Sequence, residues 1–477
     1  MKDQKAGRVL AVDLDGTLIR SDMLLETFWA AFAQSWATPF RCLARLSHGK
    51  AALKRFLGQA GAVDVSALPY NEAVLAHIRA WRDGGGRVAL VTASDQGLAD
   101  RIGAHLGLFD EVYGSNGETN LKGANKAAFL VAQFGAGGFD YMGDAEADLP
   151  VWAEAGRAVI VAATPELRRK AEATGRPVEV IASGAARAQD YVRALRPHQW
   201  MKNLLVFLPM LAGHDFRLQT FGQALLGFIV FSMIASGVYV LNDLLDLAAD
   251  RAHPRKRNRP LASGAMPILH GTILAPALLL AGLVLAVPLG ARFVAVMLGY
   301  LILTTAYSLR LKRLLVVDIV ALSALYTVRI VAGGAASDIE LSVWLLAFSV
   351  FFFFSLAAVK RQAELVDNIA SGKDKPAGRG YLASDLPLVE TMAVGAGFVS
   401  VLVMALYLDS PNVRVLYNQP GALWGICMVL LYWISRMVML GHRGLMDDDP
   451  VIFAAKDRVS QVSALVIFAF ALMGVLL

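Results

Sequence analysis

Two runs of acidic residues in this sequence have the spacing of chemical sites. The first, Asp13-Leu14-Asp15-Gly16-Thr17, closes a short apolar run, Arg8–Val12, that reads as a strand. An aspartate at the mouth of a parallel strand can attack a phosphoryl group and carry it as an aspartyl-phosphate. Asp15, two residues on, faces the same side and can protonate the leaving oxygen and then activate water. Gly16 lets the backbone turn away, and Thr17 can cap the next element. Thr92 ends a second strand-like run, RVALVT, and can hydrogen-bond phosphoryl oxygens. Lys126, in GANKAAFL, brings a cation to where phosphate and nucleophile meet. Lys122 is its rival, but Lys126 opens a helix-like stretch whereas Lys122 reads as part of a solvated turn. Asp144 and Asp148 follow a third strand, and together with Asp13 and Asp15 they offer the oxygen ligands that Mg²⁺ takes.

The second run is Asn242-Asp243-Leu-Leu-Asp246-Leu-Ala-Ala-Asp250, followed by a basic stretch to Gly264. Asn242, Asp246 and Asp250 recur every four residues, so a helix stacks them on one face. Such groups at the end of a membrane helix are expensive unless a cation binds them. Mg²⁺ chelated by a diphosphate is the natural candidate. His253, Lys256 and Arg259 then bring positive charge to diphosphate oxygens.

The elements that must position these residues differ along the chain. A hydrophobic fraction of 56% and a mean hydropathy of +0.51 point to membrane spans. Residues 1–195 are rich in charge, whereas 203–477 carry repeated apolar runs. In the first part Arg8–Val12, Arg87–Thr92, Phe139–Met142 and Ala158–Ala162 read as strands alternating with helices, the pattern of a parallel α/β sheet. An insertion at about residues 21–80 has helical periodicity and reads as a cap. The domain reading is 1–185 for the α/β domain, 186–202 for an amphipathic linker helix and 203–477 for the membrane part. Its spans fall at about 203–213, 220–241, 267–288, 293–309, 315–335, 342–359, 387–408, 421–440 and 459–477, the first being short. Met1–Gly7 is polar and reads as no signal peptide. With the N-terminus inside, the inner loops hold sixteen Lys and Arg and the outer loops three, which obeys the positive-inside rule and places the C-terminus outside. The net charge of +6 is thus explained without nucleic acid. Cys42 and Cys427 lie in different domains and are not expected to pair.

The four motifs ending in Asp15, Thr92, Lys126 and Asp148 resemble the haloacid dehalogenase superfamily over residues 8–170. The resemblance implies a Rossmann-like α/β domain with a helical cap, as in phosphoserine-phosphatase-like members. It implies Asp13 as nucleophile, Asp15 as acid/base, Thr92 and Lys126 as phosphoryl stabilisers, Asp144 as metal ligand and Asp148 supporting it. The stretch 242–264 resembles the first aspartate-rich motif of the UbiA superfamily of intramembrane prenyltransferases, which implies an all-α bundle of nine transmembrane helices. Where prenyltransferases usually place a second aspartate pair, this chain has Tyr307, Lys312, a single Asp318 and Arg329. That pattern, the opening Arg196-Pro-His-Gln-Trp-Met-Lys202-Asn203, the run Lys360-Arg361-Gln-Ala-Glu364 and the late Lys456-Asp-Arg458 resemble one branch, the polyprenyl-phosphate phosphoribosyltransferases.

The branch implies an Mg²⁺-dependent transfer of 5-phosphoribose from phosphoribosyl diphosphate to a polyprenyl phosphate. Asp318 would complete the donor site. Lys202, Tyr307, Lys312, Arg329, Lys360 and Arg361 would meet phosphate. The fused phosphatase would then remove the 5-phosphate. The competing expectation is an aromatic prenyltransferase with a polyprenyl diphosphate donor, the first domain serving as a separate phosphatase or as a regulatory module. Both place the chain in the inner or plasma membrane with its first domain in the cytoplasm. Association into a homo-oligomer is left open.

Overall fold

The computed structural model describes residues 8–116, 120–184, 186–372, 379–410, 413, 417–446 and 449–476. The polar lead-in expected at Met1–Gly7 lies outside them. The chain divides into two compact units, Met1–Leu195 with Tyr239–Pro276, and Arg196–Val238 with Ala277–Leu477.

The first unit is built on a sheet of six parallel strands. These are β1 Val9–Val12, β2 Arg87–Asp95, β3 Glu111–Ser115, β4 Phe139–Gly143, β5 Arg157–Val161 and β6 Val178–Ile181, in the order β3-β2-β1-β4-β5-β6. Val9 faces Arg87 on one side and Phe139 on the other, so β1 is central. It is completely buried, as a strand covered on both faces must be, and its run of apolar residues is what permits that. Strand order reverses beside β1, and in such sheets ligands bind outside the carboxyl ends at that point. Residues 13–17 leave β1 there. Around the sheet lie α1 Met23–Gln34, α2 Thr38–Leu46, α3 Lys50–Ala60, α4 Glu72–Asp83, α5 Gln96–Leu106, α6 Ala124–Phe134, α7 Leu149–Glu154, α8 Pro165–Glu172 and α9 Ala188–Leu195. Helix α4 falls largely within the expected cap segment yet covers the sheet. Its Val74, Leu75 and Ile78 share one core with Leu10, Val12 and Leu90.

The rest of the chain is helical. A 3-10 helix Pro197–Phe207 leads to α10 Leu208–Ala212, α11 Leu218–Leu245, α12 Leu247–Ala252, α13 Ile268–Ala286, α14 Ala291–Leu309, α15 Val317–Ser337, α16 Val343–Ala370, α17 Leu386–Leu408, α18 Trp424–His442, α19 Pro450–Lys456 and α20 Arg458–Leu476. Among the described residues eight helices, not nine, are long and apolar enough to cross a membrane: α11, α13 to α18 and α20. The expected span 203–213 is instead the end of the 3-10 helix and the five-residue α10. It is about half the length a bilayer requires, with Pro209 in its middle. The parity that put the C-terminus outside rested on that segment. In the second unit a core runs through Ile330, Phe353, Leu356, Trp433 and Met437, while Leu280, Ile302 and Leu402 point outward. Apolar side chains on the outside are what a lipid solvent asks for.

Residues 239–276 pack into the first unit. Leu244, Leu261 and Met266 share a core with Trp29 of α1 and Ala194 of α9. The Trp29 indole donates to Thr272 Oγ1 at 2.9 Å, on the second turn of α13. Arg251 donates to both carboxylate oxygens of Glu26, at 2.9 and 2.6 Å, and both side chains are almost fully buried. Gly264 has φ +70°, and a Cβ there would sit 2.8 Å from the Arg20 carbonyl oxygen. Only glycine allows so close an approach.

Candidate active sites

At the carboxyl end of β1 the Asp13 amide donates to the Met142 carbonyl at 2.9 Å, which joins the first motif to the end of β4. Lys126, the third residue of α6, sends its ammonium to Asp13 Oδ1 and to Tyr141 Oη, both at 2.8 Å. Tyr141 Oη in turn donates to Asp148 Oδ1 at 2.9 Å. Thr17 Oγ1 donates to Asp144 Oδ1 at 3.0 Å, and the amides of Asp144 and Ala145 donate to Asp148 Oδ2. Gly16, at φ +75°, passes so near Asp144 that any Cβ would run into the carboxylate. Asp13, Asp144 and Asp148 each bring one oxygen to within 4.8 Å of the others. Three carboxylates this close, with no nitrogen or sulfur donor, fit a hard dication such as Mg²⁺.

Asp15 departs from the expected ligand set. Its carboxylate accepts from the Met23 amide at 2.7 Å and from Ser94 Oγ at 2.9 Å, and it stands outside the three-carboxylate cluster. Burial first, then Asp22 and Asp13, pushes its carboxyl up to about 7, and burial with Asp13 and Asp148 does the same to Asp144. Against the pull of burial, Asp13 and Asp148 keep the Lys126 ammonium charged. Thr92 is completely buried, and its hydroxyl accepts from the Ser94 amide at 3.0 Å. Ser94 therefore stands between Thr92 and Asp15, a residue the sequence did not single out. Beside it opens a shallow cleft lined by Met23, Leu24 and Thr27 of α1 and by Lys54 and Gly58 of α3. Lys54 Nζ donates to the Ala93 carbonyl at 2.6 Å.

In the aspartate-rich stretch helix α11 ends at Leu245 and α12 starts at Leu247, yet the amide ladder continues. Asp246 N donates to Asn242 O at 2.9 Å and Asp250 N to Asp246 O at 2.8 Å. The three groups thus keep their one-turn spacing. Asp246 is exposed, while Asp250 and Asp243 are buried and share Arg259, at 2.6 and 3.0 Å. Arg259, expected on phosphate, is placed by its neighbours' charge to hold two carboxylates. His253 and Lys256 are exposed, and His253 Nδ1 faces the amides of Arg255 and Lys256, closing the turn.

The second unit contains a buried cluster of opposite sign. Lys202 bonds the Asp449 carboxylate, with Lys360 Nζ 3.7 Å from the same oxygen. Tyr326 Oη donates to Asp449 Oδ1 at 3.5 Å, and Asp449 also caps α19 by accepting from the Val451 and Ile452 amides. Burial lowers the Lys202 ammonium to about 8 despite Asp449, while against burial Lys360 and Lys202 hold Asp449 down at about 2. The Arg329 guanidinium lies over the rings of Phe231, Tyr300 and Tyr326 at 5.0 to 5.7 Å and donates from Nε to Asn203 Oδ1 at 2.9 Å. Asp318 and Arg361 are elsewhere engaged. Both are fully buried and paired at 2.6 Å, Asp318 accepting from Tyr381 Oη and Arg361 reaching Glu364. Two charges of opposite sign with no exposure join α15 to α16. Tyr307 Oη accepts from Arg379 at 3.1 Å, and Lys312, half-buried, follows the end of α14.

Residues 204–443 match the UbiA prenyltransferase family, and residues 10–153 match the haloacid dehalogenase-like hydrolases. The uncharacterized protein y4nM of Sinorhizobium fredii is 39% identical over 467 residues, covering 97% of this chain and 90% of that protein. The chain belongs to the UbiA prenyltransferase family. The nodulation protein NoeC of Azorhizobium caulinodans is 39% identical over 58% of this chain and 90% of its own length. The decaprenyl-phosphate phosphoribosyltransferase of Mycolicibacterium smegmatis is 33% identical over 62% of this chain and 93% of its own. With its eight apolar spans, this UbiA family member is a multi-pass membrane enzyme that also carries a haloacid dehalogenase hydrolase domain.

Proposed function

We propose that the UbiA domain transfers 5-phosphoribose from phosphoribosyl diphosphate to a polyprenyl phosphate, releasing diphosphate, and that the hydrolase domain removes the 5-phosphate from the product. The observation that carries this reading is the cluster in which Lys202 and Lys360 share the Asp449 carboxylate while Arg329 lies beside Lys202 over the same Tyr326 ring. A buried excess of cations suits a phosphorylated ligand. A prenyl donor needs chiefly an apolar channel beside its diphosphate. Likeness to the Mycolicibacterium transferase supports the same choice. Asn242, Asp246 and Asp250 would hold Mg²⁺ on the donor diphosphate, with Asp243 and Arg259 fixing the frame around them. Positioning and charge neutralisation then do most of the work as the lipid phosphate oxygen attacks the anomeric carbon.

In the hydrolase domain an Asp13 oxygen attacks phosphorus, the ester P–O bond breaks, and Asp15 gives its proton to the leaving oxygen. Asp15 next takes a proton from water, which attacks phosphorus and frees Asp13 and inorganic phosphate. A carboxyl raised to about 7 holds the proton this step spends. Lys126 and the Thr92–Ser94 turn steady the phosphoryl group and the acid. Asp13, Asp144 and Asp148 would hold Mg²⁺, which would neutralise phosphate charge. The lysine and arginine asymmetry supports a cytoplasmic side for the loop 242–266, and the hydrolase domain, which shares one unit with that loop and pairs Glu26 with its Arg251, goes with it. Mass spectrometry of lipids from membranes given labelled phosphoribosyl diphosphate tests the whole scheme. Labelled polyprenyl phosphoribose is the expected product, whereas a prenylated aromatic product without label would overturn it.

A further inference from the structure

Helix α2 carries a stripe of large apolar side chains that no described residue of its unit covers. Trp36, just before it, is 77% exposed, Phe40 66%, Leu43 67% and Leu46 46%. Spacings of four and three residues place Trp36, Phe40 and Leu43 on one face, and the Trp36 and Phe40 rings meet edge to face at 6.3 Å. Arg41 and Arg45, both exposed, lie on the other side of the helix. Thr38 points the other way, buried, with its hydroxyl on the Ala31 carbonyl of α1 at 3.0 Å. An apolar stripe with an aromatic ring pair, and arginine on the polar side, is the pattern of a helix lying in a lipid headgroup layer. A soluble surface rarely leaves so much apolar side chain in water.

The neighbours of α2 say what covers it. Helix α1, which ends three residues before α2 begins, is fastened through Trp29 to Thr272 on the second turn of the apolar span α13. The segment is therefore tied to the end of a membrane helix. Helices α1 and α3, which α2 connects, line the cleft beside Asp15 and Ser94.

We propose that α2 lies in the headgroup layer of the bilayer and that the cleft between α1 and α3 takes phosphate esters carried by a membrane lipid. The placement of α2 stands on its own, while the substrate class rests on the hydrolase reading above. Cys42 lies on α2 and Cys427 is buried, so the full chain bearing Cys427→Ser can be labelled at Cys42 with a fluorophore. In nanodiscs of phosphatidylcholine and phosphatidylglycerol with brominated acyl chains, strong quenching of the label is expected. Phe40→Glu/Leu43→Glu should abolish the quenching. It should also lower turnover of a polyprenyl-linked phosphate ester by about tenfold, with unchanged turnover of a soluble aryl phosphate. Absence of quenching in the parent chain, or a disulfide-linked dimer through Cys42 in its place, overturns the placement. If the parent chain fails to turn over the aryl phosphate, the hydrolase reading falls and the substrate class with it, while the quenching still decides where α2 lies. Equal loss on both esters overturns the lipid-substrate claim.

Discussion

Asp13 and Lys202 sit in pockets of opposite sign. Around Asp13 gather the carboxylates of Asp144 and Asp148, with Asp15 beside them and Lys126 as the cation among them. Around Lys202 gather Lys360 and Arg329, with Asp449 as the carboxylate. The first pocket stands on strand ends and steadies its charges with hydroxyls and amides, those of Thr17, Tyr141, Ser94 and Met23. The second stands on helices and steadies Arg329 with aromatic faces and the Asn203 side-chain oxygen, while the opening amides of α19 hold Asp449. The uncompensated sign of the first fits a dication, and that of the second suits the phosphate of the proposed ligand.

Exchanging single charges breaks this symmetry in graded ways. Asp13→Asn should cut phosphate release from an aryl phosphate by roughly four orders of magnitude, with transfer from labelled phosphoribosyl diphosphate unchanged. Parallel loss of both activities would show that the two pockets are not separate sites. Arg329→Met should lower transfer by roughly two to three orders of magnitude and leave phosphate release alone. Wild-type transfer in that variant would take Arg329 out of the donor site. Asp449→Asn strands two lysines without their carboxylate and should cost about 3 kcal/mol of stability, read as a lower melting temperature in detergent. The smallest effect is in pH. Lys202 keeps its proton only up to about pH 8, so charge for binding phosphate is lost above that value. The donor KM should rise there by at most about tenfold per pH unit, and Lys202→Arg should flatten the rise. A flat profile in the wild-type chain would remove Lys202 from phosphate contact.

Local pattern was enough for much of this. The apolar runs of β1, β2, β4 and β5 stand out because strands buried on both faces read as unbroken hydrophobic stretches. Lys126 was separable from Lys122 because one opens a helix. The edge strands β3 and β6 were missed, since EVYGS and VEVI are only partly buried and mix polar with apolar residues. The spacing of Asn242, Asp246 and Asp250 was legible, but the claim of Arg259 by Asp243 and Asp250 was not. Ser94 depends on Asp15, 79 residues away, and Asp449 on Lys202, 247 residues away. No window of sequence shows either pairing. Asp449 did leave one sign, an aspartate before proline at a helix start, which is the pattern of a cap. The pairing of Asp318 with Arg361, 43 residues apart on two helices, was equally invisible.

The ion pair of Glu26 with Arg251 carries a consequence for how the fusion is inherited. Domains joined by a loose linker can be shuffled one at a time, because nothing in either records the presence of the other. Here a buried acid in the hydrolase region and a buried base one residue past Asp250 neutralise each other. Losing either partner leaves a naked charge where water does not reach. The two halves of the chain are therefore a matched set. Within the fused chain, a change at position 251 that removes the base leaves Glu26 buried and unpaired, so the two positions are expected to change together.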